Sequence, residues 1–420
     1  MIDVCIIGAG TSGLMAAIAA SENGASVTVI DKNKRAGKKL RLTGGGRCNV
    51  TNAYSVEEII SHIPGNGRFL YSAFSQFNNQ DIQSFFETHG VSLKEEDHGR
   101  LFPTTDSSKT IVDTLVKTCQ KQGVHFIYND EVTRLLVENK QVTGVVLHSG
   151  KVIHSHTTII ATGGITYRYT GSTGDGYRLA KAVGHHVTPL YPTEAPLVSN
   201  ETFIKDKTLQ GLSLRDVTLS VMDEKKVLDA HTMDLLFTHF GLSGPCALRS
   251  STAINHYLKN HDQAIVAINA KPGLKKEAFL KLFKEQQTKW GDKKVKNTFT
   301  NFVPERYFIF LCQQAGIDIN QPLKQLTLKN GEQLYEKLTD FKMTIKRTWP
   351  LEKAFVTGGG VHLKEINPKT MESKKCAQLF FCGEVLDING HTGGYNITAA
   401  FSTGYVAGKH AAEIASYYHY

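Results

Sequence analysis

The chain contains no uninterrupted apolar run near the roughly 18 residues that a membrane helix needs, although 41% of its 420 residues are hydrophobic. No membrane helix is expected, and the length suits about two or three domains with sizeable cores. The N-terminus, MIDVCIIGAG, lacks the basic start and cleavage site of a secretion signal and reads as a strand. The seven cysteines (Cys5, Cys48, Cys119, Cys246, Cys312, Cys376, Cys382) are odd in number and form no CxxC pair. That argues against a disulfide framework or a structural zinc site and for the reducing cytoplasm. Nor is charge of one sign concentrated enough to name a partner. The net charge of +9 is spread along the chain, with short basic clusters at DKNKRAGKKLR and KEQQTKWGDKKVK. No aromatic stacking pattern or nucleic-acid motif accompanies them, so they read as solvated faces and no nucleic-acid partner is expected.

What the sequence does contain is a dinucleotide-binding unit at its start. Val4 to Ile7 is a short apolar run, suited to a buried parallel strand. Gly8, Gly10 and Gly13 follow in GxGxxG spacing: a tight turn, a close backbone approach to a pyrophosphate, and close packing of helix on strand. The alanine-rich stretch Thr11 to Glu22 predicts a helix stopped at Asn23-Gly24. Its N-terminus, at Thr11 and Ser12, offers free N–H groups to phosphate oxygens. A second strand, Val27 to Ile30, leads to Asp31, placed to accept hydrogen bonds from a ribose, with Lys32 beside it. This much implies an adenine dinucleotide without separating FAD from NAD.

Further stretches decide for FAD. TTIIATGG is an apolar strand ending in Ala161, Thr162, Gly163 and Gly164. LFFCGEVLDINGHTGGYNITAAFSTG is another apolar strand, ending in Gly383-Glu384 and followed by a glycine-rich loop and a small-residue helix expected from Ile397. Such a helix would aim its N-terminus at the flavin region where charge collects on reduction.

Here the chain resembles a family of bacterial NAD(P)/FAD-dependent oxidoreductases that includes aminoacetone oxidase and a bile-acid reductase. The likeness is carried by GAGTSGLMAA, LTGGGRCNVTN, ATGG with TGSTGDGY, LLFTHFGLSGP, AFVTGGGV and GEVLDINGHTGGYNITAAFSTG. It implies non-covalent FAD on Gly8, Gly10, Thr11, Ser12, Gly13, Asp31 and Lys32. It also implies contributions from Thr43, Gly44, Gly45, Gly46, Arg47, Cys48 and Asn49, from the strand near Val132, and from Ala161, Thr162 and Gly163. The C-terminal contribution would come from Gly383, Glu384, Asp387, Gly394, Tyr395, Asn396 and Ile397. The triple glycine would let backbone touch a planar ring or phosphate. Cys48 reads as a buried structural thiol, with a redox-active thiol as the alternative, which would need a lowered pKa and a resolving partner that the sequence does not show.

The fold expected is α/β: a Rossmann-like FAD-binding domain (1–189 and 357–420) interrupted by an antiparallel β domain (190–270 and 343–356) and a small helical domain (271–342). The period-2 pattern around DEKK predicts a hairpin. KKEAFLKLFKEQQTKW places Phe279, Leu282 and Phe283 on one helical face. No second GxGxxG follows a strand in mid-chain, so NAD(P)H, if it is the donor, docks transiently. The leading functional reading is an FAD-dependent oxidoreductase acting on a small organic substrate between FAD domain and insert. The alternative is a flavin-stabilised binding or RNA-modifying protein. His391, Tyr395, His239 and Arg47 are the candidates for active-site polarity, with Tyr167 and Tyr191 as further proton donors or stacking partners.

Overall fold

The computed structural model describes residues 1–418, which divide into two compact units: 1–192 with 351–418, and 193–350. The first unit is built on a seven-stranded sheet. Strand Ile2–Ile7 lies between Val27–Asp31 and Val152–Ile160, all parallel, and His125–Tyr128 extends the sheet beyond Val27–Asp31. The nine-residue strand Val152–Ile160 has a divided outer edge. Its first half pairs antiparallel with Gln141–Leu147, through Val152 to His154, and its second half pairs parallel with Leu379–Phe381, through Thr158 to Ile160. The central parallel strands Ile2–Ile7 and Val27–Asp31 are mostly apolar and buried, as parallel strands covered on both faces are. Ile2–Ile7 is buried at every position after the first.

The first helix runs Thr11–Glu22, as the pattern predicted, and the C-terminal helix runs Tyr395–Ser416. The latter starts two residues before the expected Ile397, because Gly394 at φ 94° turns the chain and leaves Tyr395 and Asn396 inside the first turn. These two helices pack backbone to backbone. A Cβ on Gly404 would lie 2.3 Å from the Ser12 carbonyl oxygen, and one on Gly408 would lie 2.1 Å from that of Ala16. Only glycine permits that approach.

The second unit holds a seven-stranded antiparallel sheet in the order 341–345, 264–269, 213–223, 226–237, 241–243, 197–198, 347–348. The DEKK hairpin forms with Glu224 at φ 51° in its turn. Helix Lys276–Trp290 buries Phe279 and Phe283, as its period predicted, and helix Glu305–Gln314 follows Pro304. The helices of 271–342 do not form a domain of their own. Phe279, Phe283 and Phe310 share one apolar core with the strand residues Val266 and Phe341, and the Phe310 and Phe341 rings meet edge to face at 5.3 Å. An amphipathic helix of this length has one apolar face, and the sheet is the surface that buries it. Pro245 opens a further helix, Pro245–Tyr257, that the sequence pattern did not reveal. No helix among the described residues is long and apolar enough to cross a membrane.

Gly404→Val would push a three-carbon side chain, starting with its Cβ, into the first helix's backbone. The expected cost is about 1–3 kcal/mol, read as a lower midpoint of thermal unfolding. An unchanged midpoint would show that the two helices can separate freely.

Candidate FAD site

The nucleotide end of the site grows directly from the sheet. Strand Ile2–Ile7 ends at Gly8, whose φ of 107° starts the turn into the first helix. A Cβ on Gly13 would lie 1.9 Å from the Gly8 carbonyl oxygen, so that glycine serves close packing. Gly10 differs: its Cβ position faces open space, and as N-cap it leaves the helix N-terminus without a side-chain cap or an acidic residue in the first turn. Free N–H groups, a favourable dipole and space together suit a pyrophosphate.

Asp31 ends the neighbouring strand. Its carboxylate accepts the Ala9 N–H at 2.7 Å and, through its other oxygen, the Asn33 N–H at 2.8 Å and the Asn33 amide at 2.9 Å. It therefore pins the glycine turn as well as standing where a ribose acceptor is expected. Lys32 pairs with Asp175 and Thr173. Val132 is buried at the start of its strand, and its carbonyl accepts the Arg178 guanidinium at 3.4 Å. Thr162 of the ATGG stretch has a buried hydroxyl oxygen with no hydrogen-bond partner in the protein.

The second end is made by the triple-glycine turn. Gly44, Gly45 and Gly46 have φ of 56°, 67° and 91°, and Cβ positions on Gly45 and Gly46 would meet nothing within 4 Å. Backbone there is bare on its open side, as a planar ring would require. The three residues that follow are held by protein. Arg47 pairs with Glu96 at 2.8 Å and Asp106 at 3.3 Å, its guanidinium 4.1 Å from the Phe102 ring centroid. Burial pushes the Cys48 thiol up to about 12, against a hydrogen bond with Thr43, so it stays protonated at neutral pH. Asn49 is buried. With its amide oriented to satisfy its neighbours, it donates to the carbonyls of Thr51 (2.9 Å) and Leu101 (3.2 Å) and accepts the Gly394 N–H at 2.9 Å. Asn49 thus struts the turn against the start of the C-terminal helix. The Thr51 and Thr398 hydroxyls add a second tie at 2.7 Å.

The C-terminal contribution closes the site. Gly383 lies against Ser12, where an added Cβ would sit 2.4 Å from the Ser12 hydroxyl. Glu384 accepts the Thr357 N–H at 2.9 Å and pairs with Lys39 at 2.7 Å. Burial pushes this carboxyl up, but Lys39 and the N–H groups of Thr357 and Gly164 outweigh it and hold Glu384 below the usual carboxylate range. Lys39 also donates to Thr166 at 2.9 Å. Sequence reasoning missed Lys39 because it sits in a basic cluster that looked like a solvated face. Its signal was its position, five residues before the triple glycine. Asp387 behaves oppositely: burial raises it, against a hydrogen bond from Thr188 and the nearby His362.

The loop 389–394 is clipped by Asn396. Its amide oxygen accepts the Gly390 N–H at 2.7 Å, and its amide nitrogen donates to the carbonyls of Gly390 (2.7 Å) and His391 (3.3 Å). The His391 N–H reaches the His62 carbonyl at 2.9 Å. Tyr395 is 1% exposed, with its ring stacked on His62 at 4.7 Å and its hydroxyl 3.4 Å from the Asn52 amide. It is packed inside, while His391 stays half-exposed. Tyr167 is in the same unit, at φ 52° between Tyr169 and Phe355. Tyr191 is 39% exposed. His239 belongs to the other unit, exposed on a tight turn held by the Thr238 hydroxyl. VTGGGV, which could have been a second nucleotide loop, is filled by protein. Added Cβ atoms on Gly359 and Gly360 would lie 2.2 Å from the Pro189 carbonyl oxygen and 2.6 Å from the Leu386 carbonyl carbon.

An uncapped helix N-terminus, two open glycine backbones and an orphaned Thr162 hydroxyl fit a dinucleotide whose far end is a flat ring. Residues 2–410 match the family profile described as "HI0933-like protein Rossmann domain". The chain belongs to this family. It is 33% identical over 409 residues to a ribosomal RNA dihydrouridine synthase from Escherichia coli (strain K12), covering 97% of both chains. It is 29% identical over 411 residues to a 3-dehydro-bile acid delta(4,6)-reductase from Clostridium scindens, covering 97% of this chain and 98% of that one. Its fold is shared with the 3-ketosteroid delta1-dehydrogenase of Sterolibacterium denitrificans, with a TM-score of 0.54 at 12% identity over 98% of this chain and 99% of that one. This HI0933-like chain therefore has the fold of FAD-dependent oxidoreductases. The bile-acid reductase side of the resemblance is carried by these relatives, and the narrower likeness to aminoacetone oxidase is not.

The Lys39–Glu384 pair gives a pH-dependent prediction. A carboxyl held low contributes stability in full above its unfolded value, about 4.3, and loses it as pH falls through the lower folded value. Lys39→Met removes the cation and leaves burial to dominate. The variant should be less stable than the parent at neutral pH, with the gap starting to shrink above about pH 4.3, as pH falls through the variant's raised carboxyl value, and closing below the parent's lowered one, read from thermal midpoints across pH. A gap that is constant with pH would show that the pair carries no such coupling.

Proposed function

We propose that this chain is an FAD-dependent reductase of carbon–carbon double bonds conjugated to a carbonyl, and that its substrate is uridine in ribosomal RNA. The observation that carries this reading is the 33% identity, along 97% of both chains, to the E. coli ribosomal RNA dihydrouridine synthase. Dihydrouridine is uridine whose C5=C6 bond has gained a hydride and a proton. The name of the C. scindens relative denotes a reduction in the same class of bond on a steroid skeleton. The two names agree on reaction class and differ on substrate.

Charge favours the RNA substrate over the small organic one. Residues 193–350 hold 23 Lys and Arg against 17 Asp and Glu, so this unit carries six of the nine net positive charges. Bound FAD would supply hydride to C6, the carbon β to the C4 carbonyl, and be reduced again by NAD(P)H docking from solution. The chain's own residues must seat the base, exclude water and deliver a proton to C5. His391 suits proton delivery best: its backbone is fixed by His62 and Asn396, and its side chain is half-exposed.

The test uses purified holoprotein with NADH or NADPH and ribosomal RNA from a strain deleted for this gene, with nucleosides read by mass spectrometry. Dihydrouridine is the expected product. Its absence, with reduction of a 4,6-dien-3-one steroid under the same conditions, would transfer the assignment to the small-molecule reading. His391→Gln should retain FAD and lower the turnover rate by about 100-fold, the low end for loss of a general acid. Full activity in that variant would place the proton donor elsewhere.

A further inference from the structure

The positive charge of the unit 193–350 is local. Residues 271–296 contain nine lysines against Glu277, Glu285 and Asp292, a net of +6 that equals the excess of the whole unit. Helix Lys276–Trp290 turns Phe279 and Phe283 inward, which leaves Lys281, Lys284 and Lys289 exposed. Lys276 pairs with Glu332, and Asp292 is taken by Lys324. Among the described residues, Lys281, Lys284, Lys289, Lys293 and Lys294 enter no ion pair.

A run of lysines alone would be a solvated face. Two further features set this one apart. First, it carries an exposed aromatic: Trp290 is 36% exposed, with the Lys293 ammonium 3.4 Å and the Lys289 ammonium 5.2 Å from its ring centroid. Second, the run ends in a cavity. Lys296 and Lys271, with Arg215, Thr300, Asn301 and Phe302, line a space of about 690 Å³, within the range of small-molecule sites. The Lys271 ammonium lies 5.1 Å from the Phe302 ring centroid. Cations to meet phosphates, ring faces to stack bases and a nucleotide-sized hollow are the parts of a single-strand site. A paired duplex would leave the aromatic groups without a base face to meet.

We infer that the segment 271–296 and the cavity it lines bind a single-stranded stretch of RNA. Lysine ammonium groups take its phosphates, and Trp290 and Phe302 take its bases. This inference rests on the proposed ribosomal RNA substrate and adds where the chain grips it.

The test is fluorescence anisotropy of the FAD-loaded protein with a labelled 20-nucleotide uridine-containing single strand, and with a duplex of the same length, across salt concentrations. One variant carries Lys293→Gln, Lys294→Gln and Lys296→Gln; a second carries Trp290→Ala. A control of equal charge loss in the same unit carries Lys225→Gln, Lys226→Gln and Lys259→Gln. Each phosphate contact contributes about 0.7 to the slope of log affinity against log salt for single strands. The test triple should lower that slope by about 2 and weaken binding about tenfold or more at moderate salt. Trp290→Ala should weaken single-strand binding about tenfold with the slope unchanged, and the control should bind like the parent. Equal losses in test and control triples, or duplex bound as tightly as single strand, would overturn the inference. If the parent makes dihydrouridine and the test triple binds and modifies RNA equally well, this surface alone is wrong. A parent that neither binds nor modifies RNA removes the proposed substrate as well.

Discussion

Two helices that touch through their backbones hold the candidate site together. The first helix presents Ser12 and Ala16, the C-terminal helix presents Gly404 and Gly408, and the turn at Gly383 closes on Ser12 from the adjoining strand. Side chains larger than hydrogen would separate them by an ångström or more. That contact joins segments some 370 residues apart in the chain, and each brings one uncapped helix N-terminus. The remaining ties follow from it: Asn49 to Gly394, Thr51 to Thr398, and Lys39 to Glu384. A two-ended cofactor needs its two ends held at a fixed separation, and the close packing of the two helix backbones fixes it.

The legible part of this structure was the part written in short-range rules. The strand, glycine turn, helix and acid of residues 2–31 obey local geometry, and each appeared where the spacing put it. The hairpin at DEKK and the helix of Phe279 and Phe283 were readable for the same reason. What escaped was tertiary. Nothing in the spacing of Arg47 tells that Glu96 and Asp106 will claim it, or that Asn49 will turn its amide to backbone. Lys39 could not be distinguished from its exposed neighbours until Glu384 stood opposite it. The separate helical domain failed as a reading because periodicity marks which face is apolar and is silent on what covers it.

The proposed reaction and the proposed RNA grip draw on different parts of the chain. The residues expected at FAD all fall in the unit 1–192 with 351–418. The unit 193–350 holds most of the net charge, and holds it in one segment. Relatives that act on a nucleic acid and on a bile acid can then share the first part and differ in the second, since lysines on an exposed helix face change without disturbing a core.

The divided edge of strand Val152–Ile160 bears on how the protein is made. Its first half finds its partner within a few residues of translation, at Gln141–Leu147. Its second half waits for Leu379–Phe381, and the helix that follows ends at Ser416. The ribosome must therefore deliver the chain through residue 381 before the sheet is complete, and through Gly394 before the triple-glycine turn gains its strut. Until then the emerging chain carries a half-finished sheet edge, a state that chaperones would have to shelter. The two ends of the candidate site therefore meet only once residues 383–398 have emerged, more than 330 residues after the triple-glycine turn.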